Sequence, residues 1–309
     1  MSHILFVGSK STGLRCLRSL YQQGDHRLSC ATLNDRSDLR SCFDDIKRLA
    51  SDQGSEINVL ENNDQLQALV ERTEPDVVFV CGWYRVIPEA LISRPLLGFF
   101  GIHNSLLPRY RGHAPLIWSL LNGDAEVGAS LFKFDQGMDT GDVYHQWSIP
   151  NDGGYVNSII DSLDRAIEKS FGRVFDRVIR GEQPRMTQPH RDASYCAKRR
   201  PEDSAINWNR SAEATLRFIR TLSAPYPDSF TFIDSRKVYI LKAEAFDFPI
   251  SGIPGQVVCH IDRGAVICCG DGRGILVTEA ADEQGDRTLA SLFRRLSSPA
   301  KSFELSGKQ

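Results

Sequence analysis

The sequence has no C-x-x-C pair, no apolar run approaching the roughly 18 residues needed to cross a bilayer, and almost no excess of either charge. Each absence narrows the reading. The eight cysteines, at 16, 30, 42, 81, 196, 259, 268 and 269, are scattered, which argues against a disulfide framework and a zinc knuckle and reads as reduced, mostly buried thiols. A formal net charge of −2 and a pI near 6.4 give no overall attraction to nucleic acid and leave only a local basic patch for such a partner. The start "MSHILFVGSK" patterns as a strand, unlike a charged and apolar export signal. A cytoplasmic protein without a membrane partner is the default expectation. No internal repeat or low-complexity tract is present.

What is present is ordinary for a soluble globular chain: 41% hydrophobic and 25% charged residues over 309 positions, long enough for two domains with substantial cores. "HILFVGS" predicts a strand and "STGLRCLRSLYQQG" a helix with Leu14, Leu17 and Leu20 on one side. A strand at "RLSCATL", a helix at "DLRSCFDDIKRLASDQG", a strand at "INVL" and a helix at "NDQLQALVERTEP" follow. "DVVFVCGW" and "GFFGIH" read as buried strands. Strands alternating with helices indicate an α/β fold, a parallel sheet covered on both faces. "HAPLIWSLLNGD" is helical, "VGASLFKF" and "VYHQWSI" are strands around the turn "DQGMDTGD", and "VNSIIDSLDRAIEKSFGRVFDRVIRG" predicts one long amphipathic helix.

These elements make a first domain over 1–181. The polar stretch 182–203, with three prolines, is the candidate linker. A second domain over 204–309 opens with a helix, "SAEATLRFIRTLS", and continues as short strands with turn signals, "SFTFID", "KVYILKAEAF", "GQVVCHID", "AVICCGDG" and "GILVTEA", which suggest a small barrel.

The loop "GSKSTG" after the first strand matches neither G-x-G-x-x-G nor G-x-x-x-x-G-K-[ST] and is read as a strand-to-helix turn. In an open parallel sheet, ligands gather at the carboxyl ends of strands. Three loops qualify: "CGWYRVIP", "HNSLLPRYRGHAP" and "DQGMDTGD". A histidine such as His103 is suited to general acid–base work, and a carboxylate such as Asp139 can orient its ring. That pair suits acyl transfer to an amine, which must lose a proton while an oxyanion develops.

"HNSLLPRYRGHAP" followed by "GMDTGD" resembles the folate-dependent formyltransferases, whose motif S-L-L-P-x-[YW]-R-G-x-A-P is long and specific. They include enzymes that formylate methionyl-tRNA, glycinamide ribonucleotide and amines on nucleotide-linked sugars. "RRPEDSAINW" and "APYPDSFTF" resemble the second domain of the enzyme that formylates UDP-aminoarabinose. The resemblance implies a Rossmann-like catalytic domain, a C-terminal OB-like β-barrel, and N10-formyltetrahydrofolate as co-substrate with no metal. It implies cofactor contacts at Trp83, Tyr84, Arg85, Val86 and Ile87 and at Asp135, Gly137 and Asp139. It also implies that His103 stabilises the tetrahedral intermediate and relays protons, and that Asp139 holds His103.

One position departs from that pattern. The family motif reads N-x-H, its asparagine donating to the formyl oxygen; here that position is Gly101. Residues 101 and 103 of an extended chain share a face and Asn104 points away, so Asn104 replaces the missing amide only if the chain turns sharply after His103. Loss of one oxyanion donor costs about 3 kcal/mol in related acyl chemistry. Tyr110, Arg111 and His113 are expected to pack and shape the motif loop, with pairing to a phosphate or carboxylate the alternative for Arg111. Trp83 and Tyr84 either stack on a ring or close the core edge, and Arg199 and Arg200 read as solvated charges.

For the acceptor, the basic loop that methionyl-tRNA enzymes carry after their second strand is replaced by "LNDRSDLRSCFDDIKR", with four aspartates. A phosphate backbone demands clustered positive charge, so a small amine is expected, foremost a nucleotide-linked aminosugar, and nucleic acid is disfavoured. A methionyl-tRNA or hydroxyornithine-type acceptor, a homodimer, and a catalytically weakened folate-binding protein stay open.

Overall fold

A computed structural model describes residues 1–233 and 235–285. The chain divides into two compact units, the first made of Met1–Ser119, Ala125–Pro150 and Ile160–Lys198. This unit is built on a seven-stranded sheet. In chain order the elements up to residue 198 are β1 (His3–Gly8), α1 (Lys10–Gln23), β2 (Arg27–Leu33), α2 (Phe43–Asp52), β3 (Ile57–Leu60), α3 (Asn63–Thr73), β4 (Val77–Cys81), α4 (Glu89–Ile92), β5 (Gly98–His103), β6 (Arg111–Gly112), α5 (Pro115–Asn122), β7 (Glu126–Lys133), β8 (Val143–Pro150), α6 (Val156–Glu168), α7 (Phe171–Ile179) and β9 (Tyr195–Cys196), the end of α5 and the start of α6 belonging to the second unit.

The strand order is β3-β2-β1-β4-β5-β7-β8. β1 through β5 pair in parallel, whereas β7 pairs antiparallel with β5 and with β8. The sheet is therefore mixed, not parallel throughout. The sequence could not distinguish the two because β7 carries the same apolar run that a buried parallel strand carries. Chain order reverses between β1 and β4, which opens a crevice at the carboxyl ends of those strands, the customary ligand position in such sheets.

Alternate residues of each central strand feed cores on opposite faces. Ile4, Phe6, Val77 and Phe79 pack with Phe171, Phe175 and Leu17 on one face, and Leu5, Val7, Val78 and Val80 pack with Phe99, Leu66 and Leu69 on the other. The ring centroids of Phe79 and Phe171 lie 4.6 Å apart. Burial on both faces accounts for the nearly unbroken apolar runs in the sequence.

The single long helix expected over 156–181 is two helices, α6 and α7, broken at Lys169 and Ser170. Ser170 accepts a hydrogen bond from Trp147 Nε1 at 2.9 Å, and Gly172 brings α7 so close to α1 that an added Cβ would lie 2.3 Å from the Ser19 carbonyl oxygen. Tight packing there, invisible to periodicity, redirects the helix axis.

The polar stretch 182–203 is laid along the first unit as far as Lys198. Met186 exchanges backbone hydrogen bonds with Val143 at 2.9 and 3.0 Å, and β9 pairs in parallel with β6. The second unit contains α8 (Ala212–Thr221), β10 (Ser229–Ile233), β11 (Arg236–Phe246), β12 (Val257–Ile261), β13 (Gly264–Cys268) and β14 (Gly274–Asp282). Its strands form one antiparallel sheet in the order β10-β11-β14-β13-β12. Among the described residues no pairing of β12 with β10 closes it into the expected barrel. The fully buried Trp208 anchors this unit and donates to Thr231 Oγ1 at 3.1 Å. No helix among the described residues is long and apolar enough to cross a membrane, and all eight cysteines are free, five of them buried.

Candidate functional site

His103 is the last residue of β5 and is buried. Its Nε2 lies 2.7 Å from the Tyr110 carbonyl oxygen. A carbonyl only accepts, so Nε2 carries a proton in this arrangement and Nδ1 is the nitrogen left for chemistry. Nδ1 faces Asp139 Oδ2 at 3.6 Å, and the same carboxylate oxygen accepts from the Gly112 backbone N–H at 2.8 Å. The two side chains singled out in the sequence therefore meet.

The meeting depends on an unusual turn. β7 runs antiparallel to β5, so its Lys133 end lies beside Phe100 rather than beside His103. The segment from Phe134 to Gly141 must fold back along the sheet to bring Asp139 to the imidazole. Asp135 organises that fold from inside: its Oδ1 accepts from Gly137 N–H at 3.1 Å and from Thr140 Oγ1 at 2.6 Å. An added Cβ at Gly137 would collide with Thr140 Oγ1 at 1.9 Å, and one at Gly141 with the Lys133 carbonyl oxygen at 1.8 Å. Asp139 itself is held in the left-handed region, with φ 54°, a conformation that costs about 1 kcal/mol or more and persists only where neighbours enforce it.

β5 ends abruptly. Ser105 N–H donates to the His103 carbonyl oxygen at 2.8 Å, which makes a tight turn with Asn104 at its apex. Asn104 is thus freed from the strand alternation that would point it away from the site. Its side-chain Oδ1 is buried and has no hydrogen-bond partner among the described residues. Buried acceptors are rarely left unpaired, so this oxygen is suited to a ligand that donates to it, and the amide nitrogen beside it is the donor. The space beside Gly101 is filled differently: an added Cβ would meet Phe134 ring carbons at 2.5 and 2.7 Å and the Val80 carbonyl oxygen at 3.0 Å.

The loop after β4 lies at the crevice between β1 and β4. Ile87 is 7% exposed and belongs to the core with Leu66 and Leu69, and Trp83 packs partly against that core. Tyr84 and Val86 are 62% and 90% exposed, and Arg85 is exposed as well. Two of the five residues are thus partly structural, and three face outward. Asn63, at the start of α3, fastens the loop by accepting from Trp83 Nε1 at 3.1 Å and donating to the Val86 carbonyl oxygen at 2.6 Å. Nothing in the sequence marked Asn63 for this, because the link joins segments twenty residues apart through the loop backbone.

The turn after β1 is occupied from within. Lys10 Nζ pairs with Asp35 and, at 3.0 Å, with Asp38, and Ser9 Oγ donates to Asp35. Burial opposes the charged form of Asp35, but the donors Lys10, Ser41 and Ser9 outweigh it and hold the carboxyl below its ordinary value. Asp38 is pulled down chiefly by Arg40. Arg36 pairs with Asp44 at 2.6 Å. The arginines of this loop are therefore matched by carboxylates.

Arg111 is fully buried, and its hydrogen-bond partners are Gln188, His190 and Tyr195; it packs the motif loop against the segment 188–195 and pairs with no carboxylate among the described residues. Tyr110 is buried, and His113 is exposed. Arg199 is not merely solvated, since its Nη2 donates to the Asp203 carbonyl oxygen, while Arg200 is exposed and its backbone N–H donates to Asp203 Oδ2. Among the described residues no three His, Cys, Asp or Glu side chains gather as metal ligands.

The chain matches the family described as formyl transferase over residues 35–164 and the formyl transferase C-terminal domain over residues 198–295. A methionyl-tRNA formyltransferase of Marinobacter nauticus is 30% identical over 277 residues, covering 87% of this chain and 88% of that protein. Solved structures share the fold, two of them as follows. HypX from Aquifex aeolicus in complex with tetrahydrofolic acid superposes with a TM-score of 0.69 at 17% identity, covering 96% of this chain, which spans about half (48%) of the HypX chain. An N-formyltransferase from Helicobacter canadensis in complex with folinic acid and dTDP-3-aminofucose gives a TM-score of 0.65 at 18% identity, covering 90% of this chain and 99% of that one. By sequence and architecture together, the chain belongs to the formyl transferase family and is a folate-dependent formyltransferase.

Proposed function

We propose that the chain moves the formyl group of N10-formyltetrahydrofolate to the amine of a small substrate, a nucleotide-linked aminosugar, with His103, Asp139 and Asn104 as the catalytic residues. The observation that carries this choice of acceptor is the loop after β2, where Lys10 and Arg40 are held by Asp35 and Asp38 and Arg36 by Asp44. A polyanionic RNA gains affinity by trading counterions for unpaired protein cations, and cations already matched by carboxylates have little to trade. The Helicobacter canadensis enzyme, with its aminosugar nucleotide, supports the same class. The name of the Marinobacter relative supports the competing acceptor, methionyl-tRNA.

The residues present fit a formylfolate. Tyr84, Val86 and Met138 expose apolar surface, and Asn104 Oδ1 is a buried acceptor with no partner among the described residues. When bound, the folate supplies an activated formyl carbonyl. The Asn104 amide nitrogen would donate to the oxyanion that develops as the amine attacks that carbonyl. His103 Nδ1 accepts the proton that the amine nitrogen loses, and Asp139, 3.6 Å away, stabilises the resulting imidazolium. His103 would then give that proton to N10 as the oxyanion re-forms the carbonyl and the bond from the formyl carbon to N10 breaks, so that atoms and charge balance.

Purified protein supplied with N10-formyltetrahydrofolate is tested against UDP- and dTDP-linked aminosugars, hydroxyornithine and initiator methionyl-tRNA. Formylated aminosugar with untouched tRNA is the expected outcome. Formylated tRNA with untouched aminosugars contradicts the acceptor, and amine-independent loss of the formylfolate contradicts the transfer.

A further inference from the structure

The buried Arg111 guanidinium has no carboxylate partner among the described residues. Gln188 Oε1 accepts from its Nε and Nη2 at 3.0 and 2.7 Å, and Nη1 donates to His190 Nδ1 at 3.3 Å and to Tyr195 Oη at 3.2 Å. A buried cation facing only neutral groups is costly to fold, so its purpose is to be sought in what it holds.

Gln188, itself 3% exposed, passes the grip onward. Its Nε2 donates to the carbonyl oxygens of Asp139 and Gly141 at 2.9 and 2.7 Å. A guanidinium can only donate, so it fixes which end of the Gln188 amide is oxygen and leaves both Nε2 protons for those carbonyls. Two bonds accepted and two given exhaust the amide. The carbonyls it ties flank Thr140 in the turn where Asp139 takes a φ of 54°. The Asp139 carboxylate returns to the backbone N–H of Gly112, the residue after Arg111. Side chain and backbone thus close a ring, Arg111 to Gln188 to Asp139 to Gly112, with His103 at its edge.

We infer that Arg111 and Gln188 are positioning residues: they clamp the Asp139 turn so that its carboxylate faces His103 Nδ1. This rests on the reading that His103 and Asp139 carry the transfer. The guanidinium supplies a fork that one neutral amide oxygen can receive from two sides, and its cost is repaid in a fixed carboxylate.

Gln188→Glu separates the clamp from the fold. It gives Arg111 the anion it lacks, while a carboxylate oxygen replaces the Nε2 donors in front of two carbonyls. The expected result is a melting temperature at or above that of the wild type, amide hydrogen exchange at Gly112 at least tenfold faster, and kcat at least thirtyfold lower with the KM of the acceptor within threefold. Arg111→Lys, which keeps the charge without the fork, gives the second test should Gln188→Glu not fold, with the same exchange and kcat readouts. Exchange at Gly112 or kcat within threefold of wild type in a folded variant overturns the inference. The Gly112 measurement needs no acceptor, so a wild type inert toward every amine removes the proposed function and leaves this inference to be decided by exchange alone.

Discussion

Phe134 stands in the space that a side chain at position 101 would need, its ring carbons 2.5 and 2.7 Å from an ideal Cβ on Gly101. The family asparagine is therefore not simply missing; its room is taken. Gly101→Asn alone is expected to overpack the strand, lowering stability by about 1–3 kcal/mol without raising activity, and Gly101→Asn combined with Phe134→Ala to recover much of that stability. Urea unfolding of the two variants checks this. A single variant as stable as the wild type and more active contradicts it.

The oxyanion donor assigned to Asn104 predicts a separate outcome. Asn104→Ala should lower kcat by about 10²–10³ while the KM for the folate changes little, because the amide acts on charge that exists only as the reaction proceeds. Steady-state kinetics with the acceptor found for the wild type decides. An unchanged kcat removes Asn104 from the chemistry and leaves its buried amide without an explanation.

The Lys10 cluster predicts a pH dependence of stability. Asp35 is held below its ordinary value by Lys10, Ser41 and Ser9 against the opposing effect of burial. A carboxyl depressed in the folded state stabilises the protein fully above its unfolded value of about 3.9 and loses that contribution as pH falls through the folded one. Lys10→Met should cost about 1–3 kcal/mol at pH 7, and the gap to wild type should narrow below about pH 4. Denaturant titrations at pH 7 and pH 3.5 measure the difference. A gap that widens toward acid reverses the sign and contradicts the account.

Much of the fold is legible because burial on both faces writes long apolar runs at β1, β4 and β5, and amphipathic spacing marks α1 and α3. The direction of β7 is not legible, since hydrogen-bond polarity leaves no trace in composition. The break between α6 and α7 escapes for a similar reason: it arises from contact of Gly172 with α1, not from local sequence preference. At the site, His103 and Asp139 stand out because a strand-end histidine can pair with an aspartate from a glycine-rich turn, and because the stretches around both resemble the formyltransferase motif. Gln188, Asn63 and Phe134 act through backbone carbonyls, a loop and excluded volume, none of which their own neighbours in sequence announce. The turn at Asn104 has no local sequence signal, because it is made by the Ser105 N–H closing onto the His103 carbonyl oxygen.

The central claim is that His103 and Asp139 act as one unit in transferring the formyl group, and a double-mutant cycle measures it most directly. Rates of amine-dependent formyl transfer are compared for wild type, His103→Asn, Asp139→Asn and the pair. Each single variant is predicted to lose about 10²–10⁴ in kcat, and the double to fall no more than about tenfold below the weaker single, because groups that work together are lost together. A single variant within tenfold of wild type, or a double whose loss is the product of the two, would contradict it.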